Sequence, residues 1–365
     1  QPWTNIYQNI SVSWYELSQL YEYSHLPKRS VKLGDYVDVY YPAFGDRCFR
    51  QSGITSIDYD VNNVKELPEY CFAETKITSL EGMQSSVLTA LGEYCFYGCK
   101  NLHDISALHE TGITTLPDYC FAECWSYVSP LSLNGIENLT SEGMGSHVFE
   151  NSRVEHIGQI ASAPLITEIA PYMFAGCGLA SLIGLTNKIT SLGEGCFSGN
   201  ALLTDIKQLL GTGVTAIPDK CFQGCTMLNS LIGCWNITAI GEYAFSGCTG
   251  LLATSGMGTE IDSIGGYAFQ NCTGLKQVSC VALSVPTIAS TAFDGVTVGD
   301  IPLYVREDTA ASFASATTWN SFNRIRPRTI RVHLEDIGGT DSGDVNITPS
   351  DASNTGIAVS IDPEQ

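Results

Sequence analysis

Fourteen cysteines are the residues of this chain best equipped for chemistry. Thiols can pair as disulfides, bind soft metals or attack as thiolates. Six of them, Cys48, Cys71, Cys95, Cys120, Cys196 and Cys221, stand directly before a phenylalanine, and six more, Cys99, Cys124, Cys177, Cys225, Cys248 and Cys272, stand three residues after one. Only Cys234 and Cys280 lie elsewhere, and both are expected on strand segments. Pairs such as Cys95 and Cys99 sit four apart with helical spacing, a poor match to disulfide stereochemistry. No Cys-x-x-Cys pair and no Cys/His cluster offers a metal site. Other units place Ala, Met, Val, Ser or Thr at the same positions, so small, buried, free thiols are expected.

The remaining reactive types are equally unorganised. Six histidines, His25, His103, His109, His147, His156 and His333, are scattered without ligand spacing. No nucleophile elbow, phosphate-binding loop or His-Glu-x-x-His string occurs. Carboxylates abound, but most stand at one recurring place, described below. The chain is therefore expected to have no catalytic residues, no metal and no cofactor. With 18 basic against 38 acidic side chains the net charge is −20. That balance argues against nucleic acid and against anionic lipid surfaces, both of which need Lys and Arg. Charged residues make up only 15% of the chain and apolar ones 44%, enough for a substantial core. No run of 18 apolar residues is present to cross a membrane as a helix. The chain opens on Gln1 rather than Met, as expected of a mature or truncated form.

The elements that position these residues form a repeat. Phenylalanine anchors recur at Phe49, Phe72, Phe96, Phe121, Phe149, Phe174, Phe197, Phe222, Phe245, Phe269 and Phe293, at spacings of 23 to 28 residues. Five residues before the anchor stands Leu or Ile, as at Leu67, Leu91 and Ile217, and eight before stands another apolar residue, as at Val64, Leu88 and Val214. After it comes a second apolar pair spaced by three, such as Leu102/Ile105 and Leu228/Leu231. This Leu-x-x-Ile segment is expected to be a short strand. Pro or Gly four before the anchor (Pro68, Pro117, Pro218, Gly92), followed by an acid (Glu69, Asp118, Asp219, Glu93), predicts one or two helical turns. Gly98, Gly176, Gly224 and Gly247, two after the anchor, predict left-handed helix ends. Neither element buries its apolar side alone, so units must stack on a continuous core. Tyr70, Tyr94, Tyr119, Tyr172, Tyr243 and Tyr267 stand two before the anchor. Their rings are expected to pack on one another, the alternative being a ladder that binds glycan or protein.

The strings Ile237-Thr-Ala-Ile-Gly-Glu-Tyr-Ala-Phe-Ser-Gly-Cys-Thr-Gly-Leu251 and Ile261-Asp-Ser-Ile-Gly-Gly-Tyr-Ala-Phe-Gln-Asn-Cys-Thr-Gly-Leu275 resemble the repeat of BspA-type leucine-rich repeat proteins. These are secreted or outer-surface proteins of bacteria such as Bacteroides. The stretch from Asp300 to Val305, with Phe313, Trp319, Phe322 and Ile325, is similar to that family's terminal cap. The resemblance implies an α/β solenoid: a right-handed superhelix of about eleven units, with parallel strands on the concave face and short helices on the convex face. It further implies a non-enzymatic binding protein, secreted or at the cell surface, that adheres to a host matrix protein, another cell-surface protein or a glycan. The alternative is a structural scaffold for the bacterium's own envelope proteins or glycans.

On this plan residues 1–42 are an N-terminal cap, 43–330 the solenoid with its C-terminal cap from about 296, and 331–365 an acidic tail, linker or small β-element. Alternation at 331–334 and 357–361 suits strands. Positions flanking the inward Leu and Ile of the expected strands are the candidate binding residues: Asp58, Glu81, Asp104, Ser106, Asp205, Lys207, Ser230, Ile232, Gln277 and Ser279.

Overall fold

The computed structural model describes residues 31–32, 46–58, 64–126, 129–154, 156–328, 332–335 and 341–345. The expected N-terminal cap lies outside the described residues except for Val31–Lys32, as does the strand expected at 357–361. The chain winds as a parallel β-solenoid of about eleven turns, one per phenylalanine anchor.

The strands are very short: β1 (Val31–Lys32), β2 (Ile57–Asp58), β3 (Glu66–Leu67), β4 (Ala90–Leu91), β5 (Glu168–Ile169), β6 (Ser191–Leu192), β7 (Ala216–Ile217), β8 (Ala239–Ile240), β9 (Ser263–Ile264), β10 (Val278–Cys280), β11 (Thr287–Ile288), β12 (Pro302–Arg306), β13 (Arg324–Arg328), β14 (Val332–Glu335) and β15 (Asp341–Val345). β7, β8, β9 and β11 form one parallel sheet, with Ile217, Ile240, Ile264 and Ile288 in register. β3 pairs with β4 and β5 with β6 in the same way. β14 and β15 form an antiparallel hairpin.

Most strands therefore lie just before the Pro or Gly, and not on the Leu-x-x-Ile segment. On that segment the units meet mainly through isolated bridges, such as Ser79 with Asp104 and Ala253 with Gln277. The spacing supplies the reason. Inward residues three apart cannot share one face of a strand, whose side chains alternate with period two. Here the chain turns instead, and Ser106–Glu110 and Lys207–Gly211 are 3₁₀ turns. Cys280 ends β10, as expected of a strand residue, whereas Cys234 lies among turns.

The expected helical turns around each anchor are also absent. Tyr70, Tyr94, Tyr119, Tyr172, Tyr243 and Tyr267 have φ between 53° and 57°. The position two after the anchor is left-handed too, at Gly98, Gly176, Gly224 and Gly247 as expected, but also at Glu74, Glu123, Asn151 and Asn271. A left-handed L-residue costs roughly 1–2 kcal/mol. Between units the return is a second hydrogen-bond ladder. Tyr70, Phe72 and Glu74 donate their N–H to the carbonyls of Glu93, Cys95 and Tyr97 at 3.0, 2.8 and 2.6 Å. The intervening N–H groups of Cys71, Ala73 and Thr75 turn back to carbonyls three residues earlier. A helix would aim every N–H along its own axis; the left-handed residues redirect alternate ones at the next unit. The one α-helix among the described residues, α1 (Ala310–Ser315), lies beyond the last anchor.

The core is a column of phenyl rings. Each anchor stacks on the next at centroid distances of 5.1 to 6.1 Å, with planes within 17°. That spacing follows the stacking of the units themselves, a little under 5 Å per strand. The apolar residues five and eight before the anchor and the pair after it close around the column and are nearly all buried, with Met144, Val285 and Ile288 partly so. At the last anchor, Phe293 meets Phe322 edge-on, and Trp319 donates its indole N–H to the Pro286 carbonyl at 2.9 Å.

Candidate functional site

The cysteines belong to this core. All fourteen are free and buried. Those three residues after an anchor have a specific partner: the thiols of Cys99, Cys124, Cys177, Cys225, Cys248 and Cys272 donate to the carbonyl of the preceding unit's phenylalanine at 3.0 to 3.3 Å. Ser152 does the same for Phe121, and Asn200 for Phe174. The position selects a small or compact hydrogen-bond donor, because it must satisfy a carbonyl enclosed between two units. Burial raises the Cys225, Cys234 and Cys272 thiols to about 12 and Cys99 to about 11, so they are protonated and poor nucleophiles at neutral pH. Among the described residues no three His, Cys, Asp or Glu are placed to hold a metal ion.

The tyrosine ladder packs on itself, as expected. Tyr70, Tyr94, Tyr119, His147 and Tyr172 form one stack with centroids 4.4 to 4.7 Å apart, and Tyr243 stacks on Tyr267 at 4.8 Å. Ring faces that stack on each other are not open to a ligand. The stack stops at Gly195, where a Cβ would lie 2.2 Å from the Tyr172 ring. Beyond it Lys220 reaches back to Glu194 at 2.7 Å and to the Tyr172 hydroxyl at 3.4 Å. The Lys220 and Tyr172 hydrogen bonds hold Glu194 below the usual carboxylate range.

The candidate residues from the expected strands do not share one environment. Asp104, Asp205 and Ser230 share one register and each shapes a turn, accepting the N–H of Ser106, Lys207 and Ile232 at 2.8, 3.3 and 3.1 Å. Glu81, Ser106, Lys207 and Ile232 are exposed, while Gln277 is half-buried. Ser279 is a correction: it is only 5% exposed in the middle of β10, exchanging hydrogen bonds with Thr254 at 2.8 and 3.0 Å. Asp58 lies in β2 beside Lys32, and its side chain lies outside the described residues. Asp205, Lys207, Ser230 and Ile232 occupy consecutive units; Glu81 and Asp104 belong to distant turns of the solenoid.

Around that subset the surface is unusually apolar. Ile183, Ile232, Leu210 and Trp235 are 62%, 54%, 49% and 45% exposed. Two glycines set their register. Gly184 and Gly233 approach the backbones of Ile157 and Ile206 so closely that a Cβ would lie 2.1 and 2.2 Å from the carbonyl oxygens. Ile183 and Ile232, each just before such a glycine, therefore belong to one row, with Lys207 between them. Leu210 and Trp235 form a second row three residues on. The next unit continues that row with Gly258, where a Cβ would lie 1.7 Å from the Trp235 carbonyl oxygen. No side chain of that row therefore covers the far flank of Trp235. Sequence reasoning found Ile232 and Lys207 but missed Ile183, Leu210 and Trp235. Their signal was the break in pattern: large apolar residues at outward positions where other units carry polar residues or Gly, such as Glu81, Ser106, Asn134, Gly158 and Lys207. Scattered surface apolar residues need no explanation, but in-register rows mark interaction surfaces.

A sequence profile described as BspA type leucine rich repeat region matches the chain in six copies, over residues 42–163, 137–252, 207–306 and 252–323. No curated protein is significantly similar. Among solved structures, a leucine-rich repeat protein from Bacteroides ovatus is 18% identical with a TM-score of 0.49, over 78% of this chain and 81% of its own. A leucine-rich cell surface protein from Faecalibacterium prausnitzii is 18% identical with a TM-score of 0.44, over 83% and 86%. The pneumococcal vaccine antigen PcpA is 13% identical with a TM-score of 0.43, over 78% and 76%.

Proposed function

This chain belongs to the BspA-type leucine-rich repeat family, and on that basis we propose that it is a non-enzymatic binding protein of the bacterial cell surface whose partner is another protein. No enzymatic family is indicated by its repeats. The observation that carries the reading is the pair of apolar rows: Ile183 and Ile232 flanking Lys207, with Leu210 and Trp235 beside them. Interface hot spots are enriched in Trp and sit within apolar patches rimmed by polar groups. The polar groups here are Asp205 and Ser230 beside the rows and Lys207 between the two isoleucines. Close glycine contacts pack the backbone beneath Ile183 and Ile232 against the preceding units, which limits the backbone ordering that docking would cost.

The test is a binding measurement of the purified chain against fibronectin, fibrinogen and laminin, at physiological and high salt. Saturable binding to one of them, weakened at least about 30-fold by Trp235→Ala or Ile232→Glu, is the expected result. Both residues are exposed, so neither change should move the melting temperature. Binding that both variants retain unchanged would remove the apolar rows from the reading. Silence across all three proteins would refute matrix adhesion.

A further inference from the structure

We propose that the outer face of the terminal strand β13 is a binding stripe for an acidic polysaccharide. The chain has only 18 basic side chains, yet two adjacent strands gather four arginines. β12 and β13 pair in parallel with Pro302 beside Arg324, Tyr304 beside Arg326 and Arg306 beside Arg328. Leu303 and Val305 are fully buried and Ile325 packs against the same core. Strand alternation then places Arg324 and Arg326 together on the opposite face, about 6.6–6.8 Å apart along the strand. Both are exposed, and among the residues whose side chains are described neither has a carboxylate within ion-pair distance. Arg306 behaves differently: Asp308 holds its guanidinium by two hydrogen bonds of 2.7 and 3.0 Å.

Two exposed guanidinium groups at regular spacing fit a linear polymer with repeated carboxylates or sulfates, which each fork can bind with two parallel hydrogen bonds. A nucleic acid needs many phosphate contacts along its length, and a bilayer needs a broad basic surface. A short stripe can engage a few units of a flexible acidic glycan. The opposing explanation is that Arg and Pro327 merely guard an edge strand of the sheet β10–β12–β13 against pairing with another chain. That role predicts no ligand.

The experiment uses the full chain and four probes: polygalacturonate, dextran sulfate, neutral dextran and single-stranded poly-dT, by isothermal titration at about 50 and 300 mM salt. Saturable binding to polygalacturonate and dextran sulfate, absent for neutral dextran and weaker at high salt, is expected. Arg324→Ala with Arg326→Ala should weaken it at least tenfold with an unchanged melting curve, and the double Lys variant should recover it only in part. Trp235→Ala should bind these polymers like the parent chain, which separates this stripe from the protein-docking rows. No saturable binding, unchanged binding by the double Ala variant, or tighter binding to poly-dT would each overturn the proposal. Self-association of the double Ala variant without any loss of glycan affinity would support the edge-guard explanation instead.

Discussion

Phe222→Ala tests whether the phenyl column holds the solenoid together. The Phe222 ring is fully buried and stacked on both faces, 5.8 Å from Phe197 and 5.5 Å from Phe245. Removing a buried phenyl typically costs 3–5 kcal/mol, more where the site cannot collapse. Collapse is hindered here because each neighbour is held by its own ladder: Phe197 donates to the Cys221 carbonyl and Phe245 to the Ala268 carbonyl. The stacking of aromatic pairs adds to area burial. Both considerations place the expected loss at the upper end, about 4–5 kcal/mol. In a repeat array, stability is nearly a sum of unit and nearest-neighbour terms. The damage should therefore be local, with both interfaces of one unit weakened. Urea unfolding followed by circular dichroism measures the total, and native-state hydrogen exchange locates it. Exchange should rise most between Phe197 and Phe245 and least around Phe72 and Phe96. Phe222→Leu should cost under about 1.5 kcal/mol. A loss below about 1 kcal/mol for the Ala variant, or a uniform rise in exchange along the chain, would refute the column as the source of cohesion.

Four further expectations concern the inter-unit contacts and the buried thiols. Ser152 donates to the Phe121 carbonyl at 2.5 Å and accepts the Cys124 N–H at 2.9 Å; Ser152→Ala should cost about 1–3 kcal/mol in a urea titration, whereas Ser152→Cys, the residue six other units use there, should cost clearly less. Gly195→Ala sets a Cβ 2.2 Å from the Tyr172 ring at φ 59°, so a loss of about 1–3 kcal/mol is expected from the melting curve. A neutral result would mean the ring moves aside freely. Thiol titration of the chain unfolded without reductant should count close to fourteen free thiols, and in the folded state the same thiols should react far more slowly. Burial raises several of these thiols from an ordinary value of 9.0 to about 12. The unfolded chain then loses protons between pH about 9 and 12 that the folded chain retains. Stability contributed by the buried thiols is complete below pH about 9 and falls as pH rises through that window. A flat stability profile across it would show the thiols to be solvent-accessible.

Much of this fold was legible in the amino-acid sequence because stacking sets each residue against its own counterpart in the next unit. A position that must be phenyl, small or apolar in one turn must be so in nearly all of them. The period therefore revealed the Phe column, the buried cysteines, the Tyr stack and the left-handed glycines after the anchor. What it misjudged has physical causes as well. Strands of two residues are too short to show alternation, so their place before the Pro or Gly could not be read, and the Leu-x-x-Ile spacing drew attention to the wrong segment. Tyrosine rarely adopts positive φ, so nothing in its side chain announced that the turn segment carries a second ladder instead of a helix. Exposure belongs to the assembled rows. Ser279 is covered because β12 lies beside β10, and Trp235 stands clear because the neighbouring unit places Gly258 in its row. The repeat and its core follow from one-dimensional chemistry, since each unit must bury the same side chains. The surface depends on which residues of different units become neighbours, and only the tertiary structure decides that.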